Sequence, residues 1–181
     1  MVKKILIGLA VLAVAFVGFI AILIVAYVRL EDRYQKDMDV VRQKDAQQIF
    51  KLVQEYTEKT GHLPFQEHTA DKPFMVVIGH SSREEDYFAQ DPVLARGGIF
   101  ANSSTMERLL SKELKRPIRL PHDPQKVATY APNVYIYFVK GNELAVASHL
   151  KNPHEDAVEY KWQGGRFYSY TIAYKVEPPK K

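Results

Sequence analysis

Residues Ile5 to Val28 form a run of 24 consecutive uncharged, mostly apolar residues, and that run limits which solvent this part of the chain can occupy. As a helix at about 1.5 Å per residue it spans roughly 36 Å, more than the roughly 30 Å hydrocarbon core of a bilayer. Sixteen of its residues are Ile, Leu, Val or Phe. Each favours insertion by roughly 0.3–0.6 kcal/mol, so the sum is about 5–10 kcal/mol with no charge opposing it. The run is expected to be a transmembrane helix anchored by Ile5, Leu12, Phe16, Phe19, Leu23 and Val28. A cleaved signal peptide is the competing reading, because Lys3 and Lys4 make a short basic leader. Signal peptides carry apolar cores of about 7–15 residues and end in a small-x-small site, whereas this run is longer and closes with Ala26, Tyr27, Val28 and Arg29. Core helices of soluble proteins rarely stay apolar on every face for this length.

The remainder, Arg29 to Lys181, suits one domain with its own core. The formal net charge is +4; leaving out Lys3 and Lys4, about +2 remains with acids and bases interspersed, which gives no nucleic-acid footprint. There is no cysteine, so neither a disulfide nor a thiolate metal site contributes, and the redox compartment is not specified. Bases on both flanks of the run, Lys3 and Lys4 against Arg29, Arg33, Lys36, Arg42 and Lys44, do not set its orientation. A short basic leader before a long C-terminal domain favours a cytoplasmic N-terminus and an exported C-terminus.

Beyond the run, Tyr27, Leu30, Tyr34, Met38 and Val41 recur at three- and four-residue steps, and after a polar break at Arg42 to Gln48 come Ile49, Phe50, Val53 and Tyr56. This spacing predicts an amphipathic helix over 29–60 that continues from the anchor. The break shifts the apolar stripe, which leaves the first half exposed or facing a partner and the second half packed on a domain. Gly61 supplies a C-cap and Pro64 a stop. A connector over 61–133 holds one strand-like run, Phe74 to Ile78, the Gly97-Gly98 pair, and a short helix near 105–115 with Ser104 and Glu107 as its capping box. Pro117 ends that helix, and Pro121, Asp123 and Pro124 make a turn.

The period then changes from 3.6 to 2. Val134 to Val139 and Leu144 to Leu150 flank the turn Gly141-Asn142, and Val158 to Trp162 and Arg166 to Val176 flank Gly164-Gly165. The expected fold is α+β: a long N-terminal transmembrane helix continues into an amphipathic helix packed on a C-terminal antiparallel sheet of about four strands over 134–177, before a tail at 178–181. Ile49, Phe50, Val53 and Tyr56 are the candidate helix–sheet core.

This order resembles that of type IV pilins and type II secretion pseudopilins. The stretch from Val41 through Ile49, Phe50, Val53 and Tyr56 to Gly61-His62-Leu63-Pro64 is similar to the end of that family's long first helix. Leu110 to Leu114, Pro121-His122-Asp123-Pro124, Tyr135-Ile136-Tyr137 and Leu144 to Leu150 are similar to the pseudopilin order of short helix, Asp-Pro turn and two strands. The resemblance implies a pilin-like fold, a bacterial inner-membrane location with the C-terminal domain in the periplasm, and partners among membrane, secretion or pilus-type proteins besides the bilayer. One departure bears on function. Family precursors place a peptidase site before a Phe or Met and a Glu at the fifth mature position. Here Gly18-Phe19 puts Leu23 at that place, and Gly8-Leu9 puts Ala13 there. Without a recognisable prepilin peptidase site or that carboxylate, ordinary processing and filament contact are not expected. An accessory role on a permanent anchor is. The alternative is a membrane-tethered binding or sensing module of unrelated α+β fold.

Other candidates carry less. His149, His154, Glu155 and Asp156 match no metal-ligand spacing and read as a polar loop, with calcium a weaker option suggested by the resemblance. Gly79 to Arg83 lacks the second glycine of a nucleophile elbow. Arg83 to Asp86 reads as a solvated loop or a docking site, and the strand tyrosines as packing. Ala15, Gly18 and Ala21 form a ridge of small side chains where another membrane helix could approach. With no triad, metal set or phosphate loop, neither enzymatic activity nor a cofactor is expected.

Overall fold

The computed structural model describes residues 2–69, 72–81, 85–86, 98–125, 133–162 and 165–175, with side chains described for all of these except 2–13, 160–162 and 165–167. The expected Gly97, Gly164, Val176 and tail positions, and residues 83 and 84 of the loop expected at 83–86, lie outside the described residues. Helix α1 runs Val2–Thr60 and ends where Gly61 adopts φ 80° and donates its N–H to the Thr57 carbonyl at 2.8 Å; only glycine takes that left-handed conformation at no steric cost. Contacts divide the chain into two compact units, Met1–Asp37 and Met38–Lys181.

The second unit is α+β. After a 3-10 turn at Gln66–His68 come β1 (Phe74–Ile78), β2 (Ile99–Asn102), α2 (Ser103–Leu114), β3 (Tyr135–Lys140), β4 (Glu143–Leu150), β5 (Ala157–Trp162) and β6 (Gly165–Lys175). They form a mixed six-stranded sheet in the order β2-β1-β3-β4-β6-β5, larger than the expected antiparallel four. The two extra strands come from the presumed connector. β1 pairs with β2 in parallel and with β3 antiparallel, and all five of its residues are buried. A strand covered on both faces has no polar alternation to read, so Phe74 to Ile78 gave no clue to its partners.

The C-terminal strands are two hairpins but not a meander. β6 lies between β4 and β5, pairing with β4 over eight positions from Glu143↔Lys175 to Leu150↔Tyr168 and with β5 from Ala157↔Tyr170. The longer strand carries Tyr170 and Ile172 against the core, whereas β5 exposes Val158 and Glu159 at the edge. Burial therefore favours β6 inside.

One main core fills the face covered by both helices. Ala46, Ile49, Val53 and Tyr56 of α1 and Met106, Leu110 and Leu114 of α2 meet Phe74, Val76 and Ile78 of β1, Tyr135, Tyr137 and Val139 of β3, and Leu144 and Val146 of β4. Phe50 is half-buried and meets Tyr174 edge to face, with ring centroids 6.0 Å apart. Met75, Val77, Val134 and Ile136 make a smaller cluster on the opposite face.

Helix α2 starts differently from its sequence expectation. Its N-cap is Asn102, whose Oδ1 accepts from the Thr105 N–H at 3.1 Å. Glu107 turns inward, accepting from the Leu120 N–H at 2.9 Å and from Arg119 at 3.1 Å. Closing the chain over the helix gives that carboxylate a buried donor, which a capping box could not. The helix ends at Leu114 with Lys115 at φ 56°, before Pro117. Asn102→Ala is expected to cost about 1 kcal/mol of unfolding free energy, whereas Ser104→Ala should leave the denaturation midpoint nearly unchanged.

Candidate functional site

The residues buried along the α1 stretch of the second unit are Asp39, Arg42, Ala46, Ile49, Val53 and Tyr56, at steps of three and four. They make one continuous helical face whose first two positions are charged. The polar stretch that breaks the apolar stripe in the sequence therefore does not interrupt the buried face. It holds an ionic knot.

Arg42 is fully buried. Its Nε and Nη2 donate to the two carboxylate oxygens of Asp123 at 2.6 and 3.1 Å, its Nη1 to Asp39 Oδ1 at 2.7 Å, and Nη2 also to Gln125 Oε1 at 3.0 Å. A planar guanidinium suits this fork, and lysine would not reproduce it. Asp39 in turn accepts the Lys151 N–H at 3.0 Å, the Asn152 N–H at 2.9 Å and Asn152 Nδ2 at 2.8 Å. Lys151 Nζ donates to Gln125 Oε1 at 2.7 Å. The Asp123 side chain also accepts from the Gln125 N–H at 2.8 Å, a bond two residues on that shapes the Asp-Pro turn. Beside the knot, Tyr135 donates to Asp45 Oδ2 at 2.7 Å.

Two distant segments, at 123–125 and 151–152, thus converge on one helix turn. Burial opposes the charge on Arg42, but the hydrogen bonds and charges of Asp123 and Asp39 outweigh it and hold its pKa above the ordinary arginine value. Burial pushes the Asp45 carboxyl up, against the lowering effect of the Tyr135 bond. The Tyr135 phenol is pushed well above its usual range by burial and then by Asp45. These donors and acceptors are occupied by one another, so the knot positions chain segments and offers no free nucleophile or base.

The histidines do not assemble a site. His149 is buried and its pKa is lowered to about 4, first by desolvation and then by the charge of Arg42. His154 lies over Tyr170 and accepts from the Asp156 N–H at 3.2 Å. His80 and His122 stack with centroids 5.6 Å apart, both exposed. Gly79 of the faint elbow donates its N–H to buried Glu85 at 3.1 Å. Among the described residues, no three His, Asp or Glu could hold a metal ion. Two shallow hollows on the unit lie beside Leu144 and Tyr174 and beside Glu85 and Phe100, and neither is lined by a histidine.

In the first unit, Phe16, Phe19, Leu23 and Val28 are all about half or more exposed. Ala15, Gly18 and Ala21 are exposed too, and a Cβ built on Gly18 would meet nothing within 4 Å. Ile5 and Leu12 are helical, with side chains outside the described set. An 18-residue window of mean hydropathy 2.2 has none of its surface buried, and α1 is long and apolar enough to cross a membrane. The Arg42 knot was the feature missed from the sequence; its signal was the three- and four-residue spacing of Asp39, Arg42 and Ala46 in register with Ile49.

Comparison with protein families, curated proteins and solved structures returns no match for this chain.

Proposed function

We propose that this chain is a single-pass, membrane-anchored pilin-like protein of a bacterial inner membrane, with a structural or accessory role in a secretion or pilus-type machine and its C-terminal domain in the periplasm. The observation that carries the reading is that one helix, α1, bears both the exposed apolar run and the Asp39 to Tyr56 face packed on the sheet. Fully exposed apolar surface on that scale asks for lipid or a partner. The occupied ionic knot fits a scaffold better than a catalyst. The parallel β1–β2 pair and the missing fifth-position glutamate favour the second reading, a tethered binding or sensing module on an unrelated α+β fold.

The chain has no cysteine, so Lys112→Cys and Asn142→Cys, both at exposed positions, provide unique labels. An impermeant maleimide is expected to label both in cells whose outer membrane alone is opened, and the protein should resist alkaline extraction. Labelling only after the inner membrane is breached would overturn the periplasmic placement. Photo-crosslinkers at Ala15, Gly18 and Ala21 should capture pilin-like or secretion-machine subunits; crosslinks confined to a receptor or ligand-binding partner would support the second reading instead. Intact-mass analysis is expected to show no cleavage after Gly18, and an N-methylated Phe19 terminus would contradict the permanent anchor.

A further inference from the structure

β5 closes the sheet on one side, paired with β6 from Ala157↔Tyr170 to Trp162↔Gly165 and, among the described residues, with no strand beyond it. Its Val158 is 73% exposed, the most exposed large apolar side chain described in the second unit. Backbone groups of an antiparallel strand point to its two sides in alternation. The Ala157 N–H bonds to the His154 carbonyl at 3.1 Å, so it takes no part in the ladder with β6. Glu159 and Lys161, at steps of two from Ala157, therefore turn their N–H and C=O away from β6 as well. Outward groups of this kind are a template for a further strand. Side chains alternate too: Val158, Tyr160 and Trp162 belong to one face of the sheet, Ala157, Glu159 and Lys161 to the other.

We infer that β5 is a self-pairing edge, at which two copies of this chain join antiparallel about a two-fold axis at Tyr160. The charges select the register. A match of the outward groups can centre on Val158, Glu159, Tyr160 or Lys161. Centring on Glu159 or Lys161 sets like charges opposite each other, which is destabilising. Centring on Val158 needs the Ala157 N–H that His154 holds. Centring on Tyr160 sets Glu159 against Lys161 of the second copy twice, each pair exchanging its N–H and C=O, and sets Val158 against Trp162 twice on the other face. Hydrogen-bonding groups and charges are thus self-complementary in the same register, as an isologous contact requires. With a strand of six residues from each copy the interface is small, so the pair is weak and concentration-dependent. The pairing is independent of the pilin-like reading.

The chain has no cysteine, so single thiols test the register. Tyr160→Cys places one thiol from each copy at the axis, where opposed Cα atoms about 4.5–5.5 Å apart suit a disulfide. In Val158→Cys the two positions lie roughly 14 Å apart along the strands. Mild oxidation of the full-length protein in detergent is expected to give a disulfide-linked dimer with Tyr160→Cys, in a yield that rises with concentration, and with Val158→Cys only the background seen with Lys112→Cys. Added to Tyr160→Cys, either Glu159→Lys or Lys161→Glu should slow linkage by up to about tenfold, and the two together should restore it. Hydrogen exchange on the unsubstituted chain gives a second reading, because the Glu159 and Lys161 amides should exchange more slowly as concentration rises. Linkage of Tyr160→Cys no faster than of Val158→Cys, linkage indifferent to charge reversal, or exchange at 159 and 161 that ignores concentration overturns the pairing. So does a Tyr160→Cys disulfide in cells that joins a different protein instead of a second copy.

Discussion

Arg42→Met is expected to destabilise the Met38–Lys181 unit by about 3–5 kcal/mol, because it leaves two buried carboxylates with their main counter-charge removed. In a unit of this size that corresponds to a fall in Tm of roughly 6–20 °C. Thermal unfolding of the full chain in mild detergent, followed by circular dichroism, reads it out. The coupling matters more than the single loss. Asp123 is held mainly by Arg42 and by one turn bond, so Arg42→Met combined with Asp123→Leu should recover part of the deficit. Arg42→Met combined with Asp39→Leu should not, since Asp39 also satisfies two backbone N–H groups at 151 and 152. An Arg42→Met protein within about 1 kcal/mol of the parent would mean that the guanidinium is not buried between those acids.

His149 is expected to make the domain acid-sensitive. Its ordinary pKa of 6.5 falls to about 4 on folding, so between those values the unfolded chain takes up a proton that the folded one refuses. Stability is therefore fully present above about pH 6.5 and declines as pH falls toward 4, with no further loss from this group below that. A displacement of that size corresponds to about 3 kcal/mol. Asp45, raised by burial, contributes with the opposite sign above its ordinary range. The contrast is thus between wild type and His149→Gln: the variant should lose stability at pH 7 yet show a flatter fall in urea midpoint from pH 6.5 to 4.5. Parallel curves would mean that His149 is already protonated in the folded state or is solvated.

The parts legible in the sequence were those where one face meets water. β4 alternates after Gly141, and the α1 face from Ile49 to Tyr56 repeats at helical spacing, so both elements and their mutual contact could be read. β1 could not be assigned to a sheet because both of its faces are buried, and β2 is four residues long with only a parallel partner. The order of β5 and β6 depends on which of two similar hairpin strands buries more, a comparison that local pattern does not contain. Arg42 and Asp39 were hidden for a simpler reason. Charges in a helix normally mark its wet side, and only the partners supplied by Asp123, Lys151 and Asn152 reverse that rule.

The sequence separation of those partners also sets a clock. Asp39 waits for Lys151 and Asn152, 112 and 113 residues downstream, and Arg42 for Asp123, 81 residues downstream. At about 5–20 residues per second a ribosome needs roughly 6–22 s to supply the later group. The apolar segment is made before the domain that follows it, so it leaves the ribosome while that domain is still an unfinished chain. Until Asp123, Lys151 and Asn152 have been made, the charges of Asp39 and Arg42 are hydrated rather than buried.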